Sequence, residues 1–271
     1  MKRELIVSTL IIQLLWISVP MGAQSITEFS MKVPEGSNYT TLSVDDDFIP
    51  CITTNSKGAV YYVIKNYVVN TRNKQQIELP THCRPTSICW TNNDKLVLFS
   101  NDTLFVTDKG LSFRSVLYVA TPKPIIHPIG KDDFAFCVKN DTVLYRYYYK
   151  SDSLAPVIAL DHPIRDFIVD DEDFFIAYGN RVIALSQEKE LIPVLMDEEP
   201  IYNIAFCGNQ SLLYSTPSGL WYVNNKREKE LLLDRPIIDM MTDEFDRAFF
   251  MLQDGTWLLL SPISTYETEQ E

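Results

Sequence analysis

Glycine is scarce in this chain, nine residues among 271, and no Gly-rich phosphate loop, GxSxG elbow or HExxH pair occurs in it. The first absence removes the backbone cradle of nucleotide enzymes. The other two remove the local signatures of serine hydrolases and zinc proteases. A hydrolytic triad assembled from distant residues stays open, since its members need not be neighbours in sequence. The five cysteines form no CxxC pair and share no zinc-site spacing with the three histidines. No basic run with interleaved aromatics offsets a net charge of −12, so the overall field repels phosphate backbones and sets nucleic acid aside as a partner. A helical hydrophobic period is missing, and so is a Pro/Ser/Gly linker, which leaves one all-β domain as the reading of the chain.

What is present is a repeat. Pro85-Thr86, Pro124-Ile125, Pro163-Ile164, Pro200-Ile201 and Pro236-Ile237 recur at intervals of 39, 39, 37 and 36 residues. Most units continue with an apolar stretch, an Asp/Asn-rich turn, an aromatic-rich strand, a polar turn and two further strands. Periods of this length signal solenoids, propellers or arrays, and four short strands per unit point to a β-propeller. An earlier unit without the proline is placed near Asn38 by matching Val44-Asp45-Asp46-Asp47-Phe48 to Val169-Asp170-Asp171-Glu172-Asp173. The last unit lacks its outer strand, and the segment Ile26 to Val33 is a spare strand at the other end of the chain. The expectation is a closed six-bladed propeller of four-stranded blades, its ring sealed by this N-terminal strand in the last blade.

Residues 1–23 read as a signal peptide: Lys2 and Arg3, an apolar run from Leu5 to Val19, then Pro20-Met21-Gly22-Ala23. The run is shorter than the ~20 residues a membrane span needs. The domain is expected over 24–265, with a polar tail at 266–271, in a periplasmic or secreted monomer that has no span once the leader is cleaved. An odd number of cysteines leaves at least one thiol unpaired in such a compartment. Cys51 and Cys137 are placed on the second strands of the first and third units, and most of the cysteines read as small core residues.

The third residue after each proline is expected beside the axis. That column reads Ile88, His127, Asp166, Asn203 and Asp239, with Thr41 in the degenerate unit. His127, Asp166, Asn203 and Asp239 can hold a polar ligand, ordered water or a divalent cation, and the residues name no cofactor. On the same face by register lie His82, Arg84, His162, Arg165 and Arg235, a set suited to an anionic group on a partner. The acidic turns Asp45-Asp46-Asp47, Asp132-Asp133, Asp170-Asp171-Glu172-Asp173 and Asp243-Glu244 belong to the opposite face. They read as turn caps, since none has the spacing of a calcium loop. Asn-x-Ser/Thr triplets begin at Asn38, Asn101, Asn140 and Asn209.

The period, the Asp-rich first turn and the proline before the inner strand resemble six-bladed propellers of the NHL and YWTD kind. The resemblance spans nearly the whole domain but is architectural, because neither signature occurs as such. Gly219-Leu220-Trp221-Tyr222-Val223 is only reminiscent of the YWTD tetrad. Some propellers of this kind are metal-dependent lactonases, yet their axial set of Glu, Asn, Asn and Asp is not reproduced by the column above, and fold alone transfers no activity. The expected function is an exported binding or scaffold propeller that offers one face to an envelope or extracellular protein or glycan. The alternative is a metal-assisted hydrolase or lyase centred on His127, Asp166, Asn203 and Asp239.

Overall fold

A computed structural model describes residues 31–32, 34, 37–42, 50–108, 110–118, 123–138, 140–170, 172–208, 211–243 and 245–262. Strand β1 (Ser37–Leu42) is the first element of the described residues. Blade I follows as β2 (Ile52–Thr54), β3 (Val60–Ile64), β4 (Tyr67–Asn70) and β5 (Gln76–Glu78). Blade II is β6 (Ser87–Trp90), β7 (Leu96–Ser100), β8 (Thr103–Thr107) and β9 (Phe113–Tyr118). Blade III is β10 (Pro124–Ile129), β11 (Asp133–Val138), β12 (Val143–Tyr148) and β13 (Ser153–Ala159). Blade IV is β14 (Ile164–Asp170), β15 (Asp173–Tyr178), β16 (Arg181–Leu185) and β17 (Leu191–Met196). Blade V is β18 (Asn203–Phe206), β19 (Leu212–Thr216), β20 (Gly219–Val223) and β21 (Lys229–Leu233). Blade VI takes β22 (Ile237–Thr242), β23 (Ala248–Leu252) and β24 (Trp257–Pro262), and β1 completes it in the order β1-β24-β23-β22.

The six sheets are antiparallel and four-stranded, as the repeat predicts, and the first strand seals the last blade. The sealing segment is a correction. Ser37 to Leu42 pairs antiparallel with Pro262 to Trp257. The expected segment, Ile26 to Val33, lies almost wholly outside the described residues, as do the leader, Asp45-Asp46-Asp47 and the C-terminal tail. Thr41 is therefore on an outermost strand, paired with Leu258, and not beside the axis. The short strand β2 is the inner strand of blade I. Cys51 directly precedes it, so Cys51 and Cys137 do not share a position as expected: Cys137 is on a second strand, β11.

Apolar side chains fill the gaps between blades because both faces of each inner sheet are covered. Tyr61, Val63 and Val68 of blade I pack with Ile88, Leu96 and Leu98 of blade II. Cys89, Val97 and Phe99 meet Phe134, Phe136 and Tyr147. Blades III and IV share Ile129, Ala135, Phe167 and Ile176, and blades IV and V share Ile168, Val182, Ile204 and Tyr214. Ile52, Tyr62 and Val69 of blade I pack on Phe249, Met251 and Trp257 of blade VI, which closes the circle. Phe99, Phe134, Phe136, Phe167, Phe249 and Phe250 are fully buried, each side chain worth about 2 kcal/mol of transfer from water. The turn between β19 and β20 needs its glycine. Gly219 has φ +141, and a Cβ there would lie 2.1 Å from the Leu233 carbonyl oxygen.

Two outcomes test this packing. Truncation through Leu42 removes β1 and leaves β24 as a bare edge, so the shortened chain melts well below the parent or aggregates on gel filtration. Gly219→Ala is destabilised by about 3 kcal/mol in urea unfolding, through backbone strain and displacement of β21.

Candidate functional site

Inner strands β2, β6, β10, β14, β18 and β22 follow one another around the axis. Their pairing with the second strands fixes which side chains share a level. Asp166, Asn203 and Asp239 pair with Ala177, Ser215 and Met251, each the penultimate residue of its second strand. At that level blade II places Ser87, opposite Phe99, and blade III places Ile125, opposite Cys137. Blade I places Cys51, whose carbonyl accepts from Val63 N–H. The ring at the channel mouth is thus Cys51, Ser87, Ile125, Asp166, Asn203 and Asp239. Ile88 is one residue deeper.

His127 pairs with Ala135 and sits two residues deeper, level with Thr53, Cys89, Ile168, Ala205 and Met241. The sequence column fails here because proline is not at a constant distance from the mouth. Pro124 is itself the first paired residue of β10, whereas irregularities between Ile164 and Asp166 and between Ile237 and Asp239 insert extra residues in blades IV and VI.

Much of this ring holds the blades together. The Cys51 thiol donates to the Pro85 carbonyl at 3.8 Å, and the Ser87 hydroxyl donates to the Pro124 carbonyl. Asp166 is buried; its Oδ2 accepts from Ile204 N–H at 2.8 Å and its Oδ1 from Phe167 N–H at 2.9 Å. These contacts join blade I to II, II to III and IV to V. Asn203, also buried, accepts from Ser215 Oγ at 3.0 Å. Asp239 is different. Its Oδ1 accepts from Met240 N–H, while Oδ2 lies 2.6 Å from Lys123 Nζ. Lys123 leads into blade III and Asp239 is in blade VI, so the pair bridges opposite sides of the ring.

Lys123 was not among the expected site residues, although its signal is in the repeat. It occupies the place just before the proline that Arg84 and Arg235 hold in their own units.

The channel behind this pair has a volume of about 1090 Å³ and is lined by His127, Asp166 and Asp239 among others, but not by Asn203. At its waist the His127 ring stands edge-on to Phe167, with centroids 4.9 Å apart. Burial pushes its pKa down to about 4 against the opposing pull of Asp239, so the imidazole is neutral at physiological pH. Among the described residues no group of three or more His, Cys, Asp or Glu comes together as metal ligands. All five cysteines are buried free thiols, and burial raises the pKa of each, which keeps them unreactive.

Of the residues expected on the partner face, His82, Arg84, His162 and Arg235 lie in loops at the mouth end and Arg165 at the start of β14, and they do not merge into one cluster. His82 and Arg84 are exposed beside a depression of about 830 Å³ that Lys65, Glu78 and Asn101 also line. His162 is exposed near the Tyr178 ring, Arg165 stacks over Tyr202 at 4.6 Å, and Arg235 is half-buried. Acidic groups share this end. Asp197 accepts from Tyr214 Oη at 2.6 Å and Lys229 Nζ at 2.5 Å, and Glu199 accepts from Ser218.

At the other end the acidic turns act as caps and braces. Asp243 accepts from the N–H of Phe245 and of Arg247 and pairs with the Arg247 guanidinium. Asp132 pairs with Lys95 at 2.6 Å, and Asp133 with Arg146 at 2.9 Å.

No family model matches the chain, and no curated protein matches it in sequence. Its fold is similar to that of solved structures. Virginiamycin B lyase from Staphylococcus aureus superposes with a TM-score of 0.58 at 12% identity, covering 86% of this chain and 94% of that one. A gluconolactonase from Xanthomonas campestris gives 0.60 at 11% identity, covering 83% and 90%. The extracellular domain of a one-component system from B. thetaiotaomicron gives 0.56 at 14% identity, covering 84% of this chain and 40% of that one. At such identities the likeness shows the six-bladed fold and nothing finer.

Two measurements probe these contacts. Asp166→Ala removes the acceptor for two backbone N–H groups and lowers stability by about 2–3 kcal/mol in denaturant titration. Asp197 supplies a pH signature. Against the desolvation that burial imposes, hydrogen bonds from Lys229 and Tyr214 hold its pKa at about 2, below the ordinary carboxylate value. A depressed folded-state pKa stabilises the fold above the unfolded value, and this contribution is lost as pH falls from about 4 through 2. The parent therefore loses about 1–2 kcal/mol across that window relative to Asp197→Asn, measured as melting temperature against pH.

Proposed function

We propose that this chain is an exported binding propeller which presents its mouth face to an envelope or extracellular protein or glycan. The observation that carries this reading is how the axial polar residues are used. Cys51, Ser87 and Asp166 join neighbouring blades, and the described residues gather no metal-ligand cluster. A metal-assisted reaction on the axis finds little support in that arrangement. The mouth end instead carries exposed His82 and Arg84 beside the depression, exposed His162 in a separate loop, and the Arg165–Tyr202 stack. Guanidinium groups beside aromatic rings suit the recognition of carboxylates and of sugar or peptide faces.

Export is supported by the leader pattern at residues 1–23, and the buried, unreactive thiols are compatible with an oxidising compartment. The extracellular domain of a one-component system among the similar folds is in keeping with an exported chain, although the likeness alone assigns no role.

The test compares two sets of charge changes. Arg84→Glu with Arg165→Glu weakens capture of the partner from a native envelope extract by at least ~10-fold, about 1.4 kcal/mol. Asp170→Asn with Asp173→Asn, at the opposite end, leaves capture unchanged. Equal loss from both sets, or loss from the acidic set alone, moves the binding face elsewhere.

A further inference from the structure

We propose that the axial channel is a binding site for a small zwitterion, a free α-amino acid, held by Lys123 and Asp239 at the mouth and by His127 at the waist. The site is separate from the mouth loops and does not depend on the partner reading above.

Of the six mouth-level side chains, Cys51, Ser87, Asp166 and Asn203 are held by hydrogen bonds in the wall and Ile125 is apolar. That leaves the Lys123–Asp239 pair as the charge facing the channel at its mouth, with side chains 35% and 26% exposed, while the other charged lining residues, Asp170, Glu172, Asp243 and Asp246, belong to the far end. The two residues come from opposite blades, so Lys123 can rotate away from Asp239 without disturbing a strand. An anion inserted at this point satisfies Lys123 but leaves Asp239 without a counter-charge in a partly desolvated space. A cation does the reverse. A zwitterion replaces one ion pair by two charge-assisted contacts, its carboxylate on Lys123 and its ammonium on Asp239.

His127 then accounts for the rest of the ligand. It lies two strand residues deeper, a descent of about 6–7 Å. Its ring makes an edge contact to Phe167 and no hydrogen bond within the described residues. Of the residues at its level, Thr53, Cys89 and Met241 line the channel, and none of them is charged. A neutral imidazole offers one donor and one acceptor, so the waist admits an uncharged side chain with a polar end. The volume of about 1090 Å³ accommodates such a molecule with water beside it.

The experiment is saturation-transfer NMR on the whole protein with each proteinogenic L-amino acid at about 10 mM, a concentration that fills a millimolar site. The N-acetyl and carboxamide derivatives of any amino acid that binds are then measured in the same way. At least one amino acid gives a saturable signal, and both derivatives lose it, since each lacks one charge. Lys123→Met and Asp239→Asn each weaken binding by ~10-fold or more. The Asn variant keeps the oxygen that accepts from Met240 N–H, and should either variant misfold, the comparison of derivatives on the unaltered protein still decides. Absence of any saturable signal, or a derivative that binds as well as its parent, overturns the proposal. So does retention of full affinity by both folded variants.

Discussion

Each blade is a sheet with two apolar faces, and only a closed ring leaves neither face in water. Everything else in the molecule follows from that requirement. Five of the blade-to-blade gaps lie between sheets formed from consecutive stretches of chain. Closure needs one contact between the two ends of the sequence: Ile52, Tyr62 and Val69 of blade I against Phe249, Met251 and Trp257 of blade VI. Pairing β1 with β24 holds those ends together through a strand ladder, which is stronger than side-chain packing alone because it also satisfies the edge of β24. Arg247 adds a guanidinium contact to the Gly58 carbonyl across the same seam.

The hydrogen bonds around the mouth reveal what the repeated proline does. Pro85 and Pro124 supply the carbonyls that Cys51 and Ser87 of the preceding blades grasp. A proline fixes φ and brings no N–H that would need a partner at a crowded junction, so its carbonyl can be held in a constant direction. Blade IV solves the same problem with a carboxylate that accepts from Ile204 N–H. Polar side chains near a propeller axis can thus be joints before they are ligands. The same residue types that suggest a cation site in the sequence are, in the fold, bonded to the next blade.

The architecture was legible because the repeat registers five strong prolines, aromatic second strands and Asp-capped turns, all local features with local causes. The blade count and the donation of an N-terminal strand follow from counting strands at the two ends. The identity of that strand was not legible. Ser37 to Leu42 and Ile26 to Val33 are both short alternating segments, and pairing over more than 200 residues is decided by contacts that periodicity does not contain. The axial column was partly legible. Asp166, Asn203 and Asp239 do share a level, while His127 is displaced because β10 starts pairing at Pro124 itself. Lys123 was hidden for a different reason: its importance comes from a side chain that crosses the axis, a relation between blades III and VI that no single repeat displays.

A lyase, a lactonase and the extracellular domain of a one-component system all share this fold at identities of 11–14%, so the fold itself exerts no choice among such roles. What distinguishes one propeller from another is the chemistry left over once the ring is built. In this chain the acidic end is taken up by caps and braces, such as Asp243 with Arg247 and Asp132 with Lys95. Three of the six mouth-level side chains serve as inter-blade joints. The groups that remain available are the mouth loops and the Lys123–Asp239 pair with His127 below it. Those groups carry opposite charges and a neutral imidazole, and the two binding roles proposed above rest on that chemistry.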